Sequence, residues 1–467
     1  MPPSPPWRDP RRWRRRRGTI RRQLPGSGRR GAPTVGPVSN DAHPDLILGT
    51  LDVHATDEET LAALHAYGDA WSTAFLEGRL DEEKRKRWLT HSRADDVTFR
   101  FARPRSTVAG PSRPVATFSS WDQEMNVGGP ELLPLRMITD VTVAPTHRRR
   151  GLLRRLMSED LADAAAKGVP LAALTVSEGS IYGRFGFGPA TRLRSVEVDV
   201  RPGRFRLRHD ATDEPGSLQL VEPKDAYPLT REVYAEHLAR TRGEVARPAF
   251  YEQVFSGDFN WETGGPDRVL STVLHLDADG RADGYCTYRV KEGETHDQHH
   301  IRVADMVALT PAAHLRLWQF LADVDLISHV RARVLLDDPL DHAVVDPRTV
   351  ETKEQRDMLW LRILDLPTAL EARPWREDAS VVLEVADDLG HIAGRWRVST
   401  DKGRARVERT EDSPGVSLSA ETLATLYLGD RLVPTMAAAG RVTGPDVETF
   451  AAMADHAGPA PYCRTGF

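Results

Sequence analysis

Between residues 57 and 88 the apolar positions Leu61, Leu64, Ala70, Trp71, Phe75 and Leu80 fall near helical spacing, which predicts one or two amphipathic helices. Short apolar runs at 97–102 and 115–118, parted by a Pro/Gly loop, read as strands, and 135–143 reads as a third that ends at Ala144-Pro145. From Leu152 to Ala166 the residues Leu153, Leu156, Met157, Leu161 and Ala164 recur every three or four positions, marking one buried helical face. Gly168-Val169-Pro170 stops that helix, and residues 171–176 form another short apolar strand. Residues 135–176 therefore predict a strand, a helix and a strand, with a loop entering the helix at its N-terminus.

Arg, Pro and Gly accumulate at 200–215, which marks a boundary. Beyond it, Asp305-Met306-Val307-Ala308-Leu309-Thr310-Pro311 and a helix carrying Leu315, Trp318 and Leu321 repeat the order of Asp140-Val141-Thr142-Val143-Ala144-Pro145 and its helix. The arginines and glycine of the first loop do not recur, so a second, degenerate copy of the first fold is expected. A final segment starts near Met358 with a strand at 359–364 and a Pro-initiated helix at 367–372. Strands at 381–385, 392–398 and 404–409 and helices at 421–427, 436–439 and 447–455 complete an α+β module.

At 467 residues the chain is long enough for about three domains. No apolar run of ~18 residues exists to span a bilayer. Cys286 and Cys463 stand far apart without metal-type spacing, so neither a disulfide framework nor a zinc site is indicated, and a reducing cytoplasm is expected. The net charge of -5 hides an asymmetry. Residues 1–40 hold eleven Arg against Asp9 alone, leaving -15 on the rest, an acidic body whose field favours cationic substrates. The basic segment is rich in Pro and Gly and poor in apolar residues, so residues 1–43 are expected to be a disordered extension. It lacks the apolar stretch of a secretory signal, and nucleic-acid binding is the minor reading of its arginines.

The candidate chemistry lies at 141–153, Val-Thr-Val-Ala-Pro-Thr-His-Arg-Arg-Arg-Gly-Leu-Leu, where an apolar strand runs through a basic turn into a helix. Free N–H groups and the macrodipole at a helix N-terminus favour an anion such as a pyrophosphate. Gly151 permits close approach of the backbone, and Arg148 to Arg150 add charge and donors. Alone, an R-x-x-G turn is more often solvated than ligating. The second element, Ser177-Glu178-Gly179-Ser180-Ile181-Tyr182-Gly183-Arg184-Phe185-Gly186-Phe187-Gly188, follows the next strand, where open α/β sheets place ligands.

These stretches resemble the GNAT acetyltransferase superfamily, and within it the enhanced-intracellular-survival (Eis) family. The same resemblance extends to Leu-Trp-Leu-Arg-Ile from Leu359, Ala-Leu-Glu-Ala-Arg from Ala369 and Leu-Tyr-Leu-Gly from Leu426, and covers roughly residues 44–467. It implies two tandem GNAT-like domains, mixed sheets with helices on both faces, at 44–200 and 201–350, the second without the cofactor loop. A sterol-carrier-protein-like α+β domain at 351–467 would follow. It further implies a homohexamer and a ternary-complex transfer of acetyl from acetyl-CoA, with no metal, to an amine. By the family pattern Val141, Val143, Arg148, Arg149, Gly151, Leu152 and Ser177 hold acetyl-CoA, although Leu153 stands where a small residue is usual. Tyr182 is the implied general acid, the terminal carboxylate of Phe467 the implied base, and Phe75, Glu77 and Trp88 the implied substrate contacts. Gly466 stands where well-known members carry an acid. Polyamine-like or aminoglycoside-like acceptors are expected, with a protein lysine or a non-catalytic ligand-binding role as alternatives. The ligand-type residues at 295–300 read as a polar hairpin rather than a metal site.

Overall fold

The computed structural model describes residues 43–211, 216–293, 298–456 and 458–467. The arginine-rich extension and residues 294–297 of the His-rich hairpin lie outside the described residues. Two seven-stranded mixed sheets and a five-stranded sheet carry the rest. The first is ordered β1 (Leu46–Leu51), β2 (Thr98–Pro104), β3 (Ala116–Asn126), β4 (Leu132–Val143), β5 (Leu171–Thr175), β14 (Leu359–Ile363) and β6 (Gly188–Pro189). The second is ordered β13 (Val350–Asp357), β7 (Arg192–Asp199), β12 (Ile327–Val334), β11 (His299–Ala308), β10 (Ala282–Lys291), β9 (Leu270–Leu276) and β8 (Ser217–Val221). The third is ordered β17 (Arg404–Arg409), β16 (Gly394–Asp401), β15 (Ser380–Ala386), β18 (Val416–Ser419) and β19 (Val442–Thr443).

Helices cover both faces of the first sheet. The expected early helical segment is two helices, α1 (Glu58–Ala74) and α2 (Glu82–Ala94). Each starts at an aspartate, Asp57 or Asp81, whose carboxylate accepts the N–H of the third residue on, at 2.8 Å in both cases. Leu64, Tyr67, Trp71, Trp88 and Leu89 from this pair join one core, whereas α3 (Leu152–Ala166) buries Leu156, Met157, Leu161 and Ala164 in another on the opposite face. The second sheet repeats the plan with α4 (Pro223–Arg240) and α6 (Pro311–Ala322), with α5 (Phe250–Phe255) turned toward α2 and the short α7 (Leu340–Ala343) beyond β12. The third sheet packs with α8 (Leu366–Ala372), α9 (Ala420–Leu426), α10 (Val433–Ala438) and α11 (Val447–Ala454). Among the described residues no helix is long and apolar enough to cross a membrane.

Strand pairing crosses the linear division expected from the sequence. β7, in the 44–200 stretch, lies in the second sheet between β13 and β12, while β13, which starts at the expected boundary, and β14, in the 351–467 stretch, complete the second and first sheets. β14 is buried along its whole length and passes between β5 and β6. Its Arg362 is neutralised in the interior by Asp387 at 2.6 Å. A run buried on both faces reads as a strand but does not name its partners.

Candidate active site

The first sheet opens where the helix N-terminus expected to bind an anion is placed. β4 and β5 are parallel and paired from Leu135/Leu171 to Ile138/Leu174. Past that point β5 ends at Thr175 while β4 runs on beside β3, so the two strands fork. On β4, Asp140 and Val141 oppose the single Phe118 of β3, a bulge with Asp140 at φ +52°. A bulge leaves one residue's main chain outside the ladder, which fits the backbone role expected of Val141; Val143 follows, half-buried, at the end of the strand.

The chain then makes a 3-10 turn at Pro145–His147 and enters α3 through Arg149 at φ +62° and Gly151 at φ +79°. A Cβ on Gly151 would meet open space, so the glycine answers to its left-handed backbone rather than to crowding. Among the described residues no side chain caps this end of α3. Arg148 and Arg149 are exposed, while Arg150 is drawn to Asp45 at 2.6 Å. Leu152 is buried and fixes the first turn from beneath, and Leu153 also packs against this core. Ser177 is exposed just past β5. The uncapped helix end, the two free-standing arginines and the fork suit a pyrophosphate with a long arm. The matching corner of the second sheet is closed: Thr310 caps α6 by accepting the Ala313 N–H (3.1 Å), and its hydroxyl donates to Asp283 (2.8 Å).

A cleft lies on the α1/α2 face of the fork, open in part to solvent and holding about 560 Å³ of space when that solvent is included. Trp88, Asp140 and Phe467 line it together with Trp71, Trp121 and Asp95, and Pro248, Phe250 and Trp261 reach in from the segment that follows α4. Of the expected substrate contacts, Trp88 is in the wall. Phe75 is not; it sits beyond the last turn of α1, half out in solvent, edge-on to Trp71 at 6.4 Å. Glu77 lines a smaller neighbouring pocket with Arg79 and Lys84. Asp140 was open to sequence reading as a carboxylate inside an apolar strand; Phe250 and Trp261 carry no local signal, because a separate stretch of chain delivers them. Burial pushes the Asp140 carboxyl up to about 6 despite the hydrogen bond from Ser119 (2.9 Å), and burial likewise raises Asp95 to about 6 although the Ala249 N–H and Gln123 donate to it.

Tyr182 belongs to the core on the α3 face, edge-on to Phe187 at 6.3 Å, and burial, with the Glu178 charge, pushes its phenol up to about 12. Phe467 belongs to the core on the other face, edge-on to Trp121 at 5.9 Å. Phe467 borders the end of β5, where Thr175 donates its hydroxyl proton to the Phe467 main-chain oxygen at 2.8 Å. The glycines after Tyr182 serve packing: a Cβ on Gly188 would strike the Glu421 carbonyl and Thr425 of α9.

The segment leading to Phe467 is built into the interior. β11 and β12 are paired from His299/Ile327 to Arg302/Arg331, then fork as β4 and β5 do. In that fork Tyr462 donates to the Arg333 carbonyl of β12 (3.3 Å) and Arg464 to Asp305 of β11 (2.6 Å). Asp305 also accepts from Arg247 (2.7 Å) and Tyr285 (2.6 Å). Glu244, fully buried, accepts the N–H groups of Arg464 (3.2 Å) and Thr465 (3.4 Å), and Tyr251 exchanges hydrogen bonds with Gly466. The last residues thus fill the fork of the second sheet and emerge at the fork of the first.

Residues 56–190 and 243–363 each match the acetyltransferase (GNAT) domain family, and residues 366–464 match the sterol carrier protein domain family. An uncharacterized N-acetyltransferase of Streptomyces griseus is 38% identical over 362 residues, 76% of this chain and 87% of that protein. The N-acetyltransferase Eis of Mycobacterium tuberculosis is 36% identical over 348 residues, 72% of this chain and 82% of that protein. Among solved structures, Eis1 of Mycobacterium abscessus superposes with a TM-score of 0.72 at 29% identity, over 90% of this chain and 100% of its own. A GCN5-related N-acetyltransferase of Anabaena variabilis, at 20% identity and a TM-score of 0.74 over 90% of this chain and 100% of its own, shares the fold. With two acetyltransferase domains ahead of a sterol carrier protein domain, and this identity to Eis, the chain belongs to the Eis family of GNAT N-acetyltransferases.

Proposed function

We propose that this N-acetyltransferase transfers the acetyl group of acetyl-CoA to the primary amine of a small cationic molecule by direct attack, with both substrates bound at once. The observation that carries the reading is the fork between β4 and β5, with the uncapped N-terminus of α3 beyond the end of β4 and a cavity walled in part by Asp95 and Asp140 on the α1/α2 face. Acetyl-CoA supplies the activated acyl group as a thioester. The α3 N-terminus with Arg148, Arg149, Gly151 and Leu152 would hold its phosphates, and Val141, Val143 and Ser177 its arm.

Within the cavity the Phe467 carboxylate accepts the proton that the attacking amine releases, held in place by Thr175. Tyr182 faces the leaving sulfur. A phenol near 12 surrenders its proton to a thiolate of ordinary pKa ~8.5 only at a cost of about 5 kcal/mol, so its first contribution is a hydrogen bond to the developing charge. Water exclusion comes from the ring-lined walls, which protect the thioester from hydrolysis.

Thiol release from acetyl-CoA with polyamines, aminoglycosides, simple monoamines and a lysine peptide tests the reading; no acceptor turned over above background would sink it. Extension of the chain beyond Phe467 should depress turnover by orders of magnitude while acetyl-CoA binding persists, and full activity of such a protein would remove the carboxylate from the mechanism. The homohexamer implied by the family resemblance is part of the same proposal, and light scattering at micromolar concentration would overturn it by returning a monomer.

A further inference from the structure

Tyr182 heads a tight turn that its own backbone bonds hold only in part. The Tyr182 carbonyl accepts the Phe185 N–H (2.9 Å) and, at longer range, the Phe187 N–H (3.4 Å), and Gly186 closes the turn at φ +79°. Glycine at 183, 186 and 188 gives this stretch wide backbone freedom, so its shape depends on what packs around it. The packing comes from the chain beyond residue 358. A Cβ on Gly186 would overlap the Arg362 guanidinium of β14, and one on Gly183 would stand 3.1 Å from the carboxyl carbon of Glu421 on α9, the helix that also abuts Gly188. Glu421 is in turn paired with Arg441 at 3.0 Å.

Arg362 is buried with its partner. Its Nη2 donates to Asp387 (2.6 Å), and the same carboxylate accepts the N–H groups of Leu389 (3.1 Å) and Ile392 (3.0 Å), so one acid fixes both the guanidinium and the loop at 387–392. Leu389 of that loop packs against the core that holds Tyr182, Phe185 and Phe187. Among the described residues Nε and Nη1 of Arg362 have no hydrogen-bond partner. A buried guanidinium with idle donors costs stability that an apolar side chain of similar volume would not. What the pair supplies instead is a rigid plane set against the backbone of Gly186.

We infer that Arg362 and Asp387 are positioning residues for Tyr182, and that the third domain braces the Tyr182 turn from two sides, through this pair at Gly186 and through α9 at Gly183 and Gly188. This rests on the reading of Tyr182 as hydrogen-bond donor to the departing thiolate, and it gives the sterol-carrier-like domain a task in the reaction. A displacement on the order of 1 Å at a reacting group costs about 100-fold in rate. Neither residue of the pair lines the cleft or belongs to the corner at 141–153, so both substrates should still bind when the pair is broken.

Asp387→Asn keeps the side-chain volume and removes its charge. In the full chain, with the amine turned over fastest, it should lower kcat about tenfold to 100-fold with both KM values within a factor of three, and the amides of Gly183 to Phe187 should exchange faster in hydrogen-exchange mass spectrometry. A cycle with Tyr182→Phe decides whether the loss passes through the phenol. The double variant should be no more than about twofold slower than Tyr182→Phe alone, and losses that multiply overturn the inference. With Tyr182→Phe impaired, an unchanged kcat in Asp387→Asn overturns it as well. Should no amine be turned over, or Tyr182→Phe keep the parent's kcat, the reading of the reaction fails and exchange alone decides the brace: amides at 183–187 no faster than in the parent overturn it. If Asp387→Asn does not fold, Arg362→Lys, which keeps a charge facing Asp387 and withdraws the guanidinium from Gly186, carries the same expectations.

Discussion

Replacing Arg464 with alanine tests whether the second sheet governs the chemistry of the first. Arg464 donates to Asp305 at 2.6 Å with both side chains nearly buried, and its loss leaves Asp305 with Arg247 and Tyr285. Burial alone would raise the Asp305 carboxyl, but Arg247 and Arg464 beside it bring it down to about 2. Removing one charge-assisted bond of this kind costs about 2–4 kcal/mol, below the full penalty for stranding a buried charge because two partners remain. Ordering the last six residues costs roughly 6–12 kcal/mol, against about 2–3 kcal/mol for each buried ring of Tyr462 and Phe467 and a few more from the Arg464 and Glu244 bonds. Docking of the terminus is therefore close to balance, and 2–4 kcal/mol lowers its equilibrium constant about 30-fold to 1,000-fold. Turnover should fall by about 100-fold with the KM for acetyl-CoA unchanged within a factor of three, and the amides of Thr465 to Phe467 should exchange with solvent faster in hydrogen-exchange mass spectrometry. Arg464→Lys, which keeps the charge, should recover part of the turnover. Fast-exchanging terminal amides with turnover still within twofold of the parent would refute the carboxylate mechanism.

Gly151→Ala meets open space but forces a left-handed backbone on a residue with a Cβ, at about 1–2 kcal/mol; acetyl-CoA affinity by calorimetry should drop roughly tenfold with an unchanged circular dichroism spectrum. Gly188→Ala drives a methyl into the main chain of α9 and should lower the urea midpoint by an amount equal to at least about 1–3 kcal/mol, with loss of the third domain from the common unfolding transition as a second sign. Asp140→Asn should stabilise the fold above pH 6. The folded-state pKa of Asp140 is raised, so the cost of ionising it in the folded state grows as pH rises from the ordinary carboxyl range to about 6 and is complete above that; melting curves should show the variant's advantage in full at about pH 7.5, about half as large at about pH 5, and gone below the ordinary carboxyl range. The same variant should raise the amine KM at least tenfold, and a fall in kcat of three orders of magnitude would instead make Asp140, not Phe467, the proton acceptor.

What the sequence displays and what it hides divide along one physical line. Periodicity records which face of an element is buried, so α3 was legible to the residue and the strand at Arg404–Arg409 likewise. The corner proposed to hold the cofactor was legible as backbone for a related reason: strand, basic turn, glycine and helix are consecutive, and their relative geometry is set by local backbone rules. Pairing between distant strands has no such local record. β14 shows its burial as an unbroken apolar run with Arg362 inside it, yet nothing in that run states that β5 and β6 lie on either side. The amine cavity is of the second kind. Trp88 announces itself only as an amphipathic helix residue, and Trp261 as an aromatic in a polar loop; they become one wall because α5 and the chain after it pack on α2.

That division bears on how the two acetyltransferase domains differ. The first keeps an uncapped helix end and an open fork, and the second has closed both, the helix with Thr310 and the fork with Tyr462 and Arg464. An open fork exposes main-chain groups of a parallel strand pair that would otherwise be bonded, a cost recovered only when something polar and extended lies in it. In the second domain the segment from Tyr462 to Phe467 is that object; in the first, under the proposed function, it would be the cofactor arm. The second domain thus retains the geometry of a cleft, and what it holds, six residues from Tyr462 to Phe467, ends in the wall of the cavity where, in the proposed mechanism, the amine loses its proton.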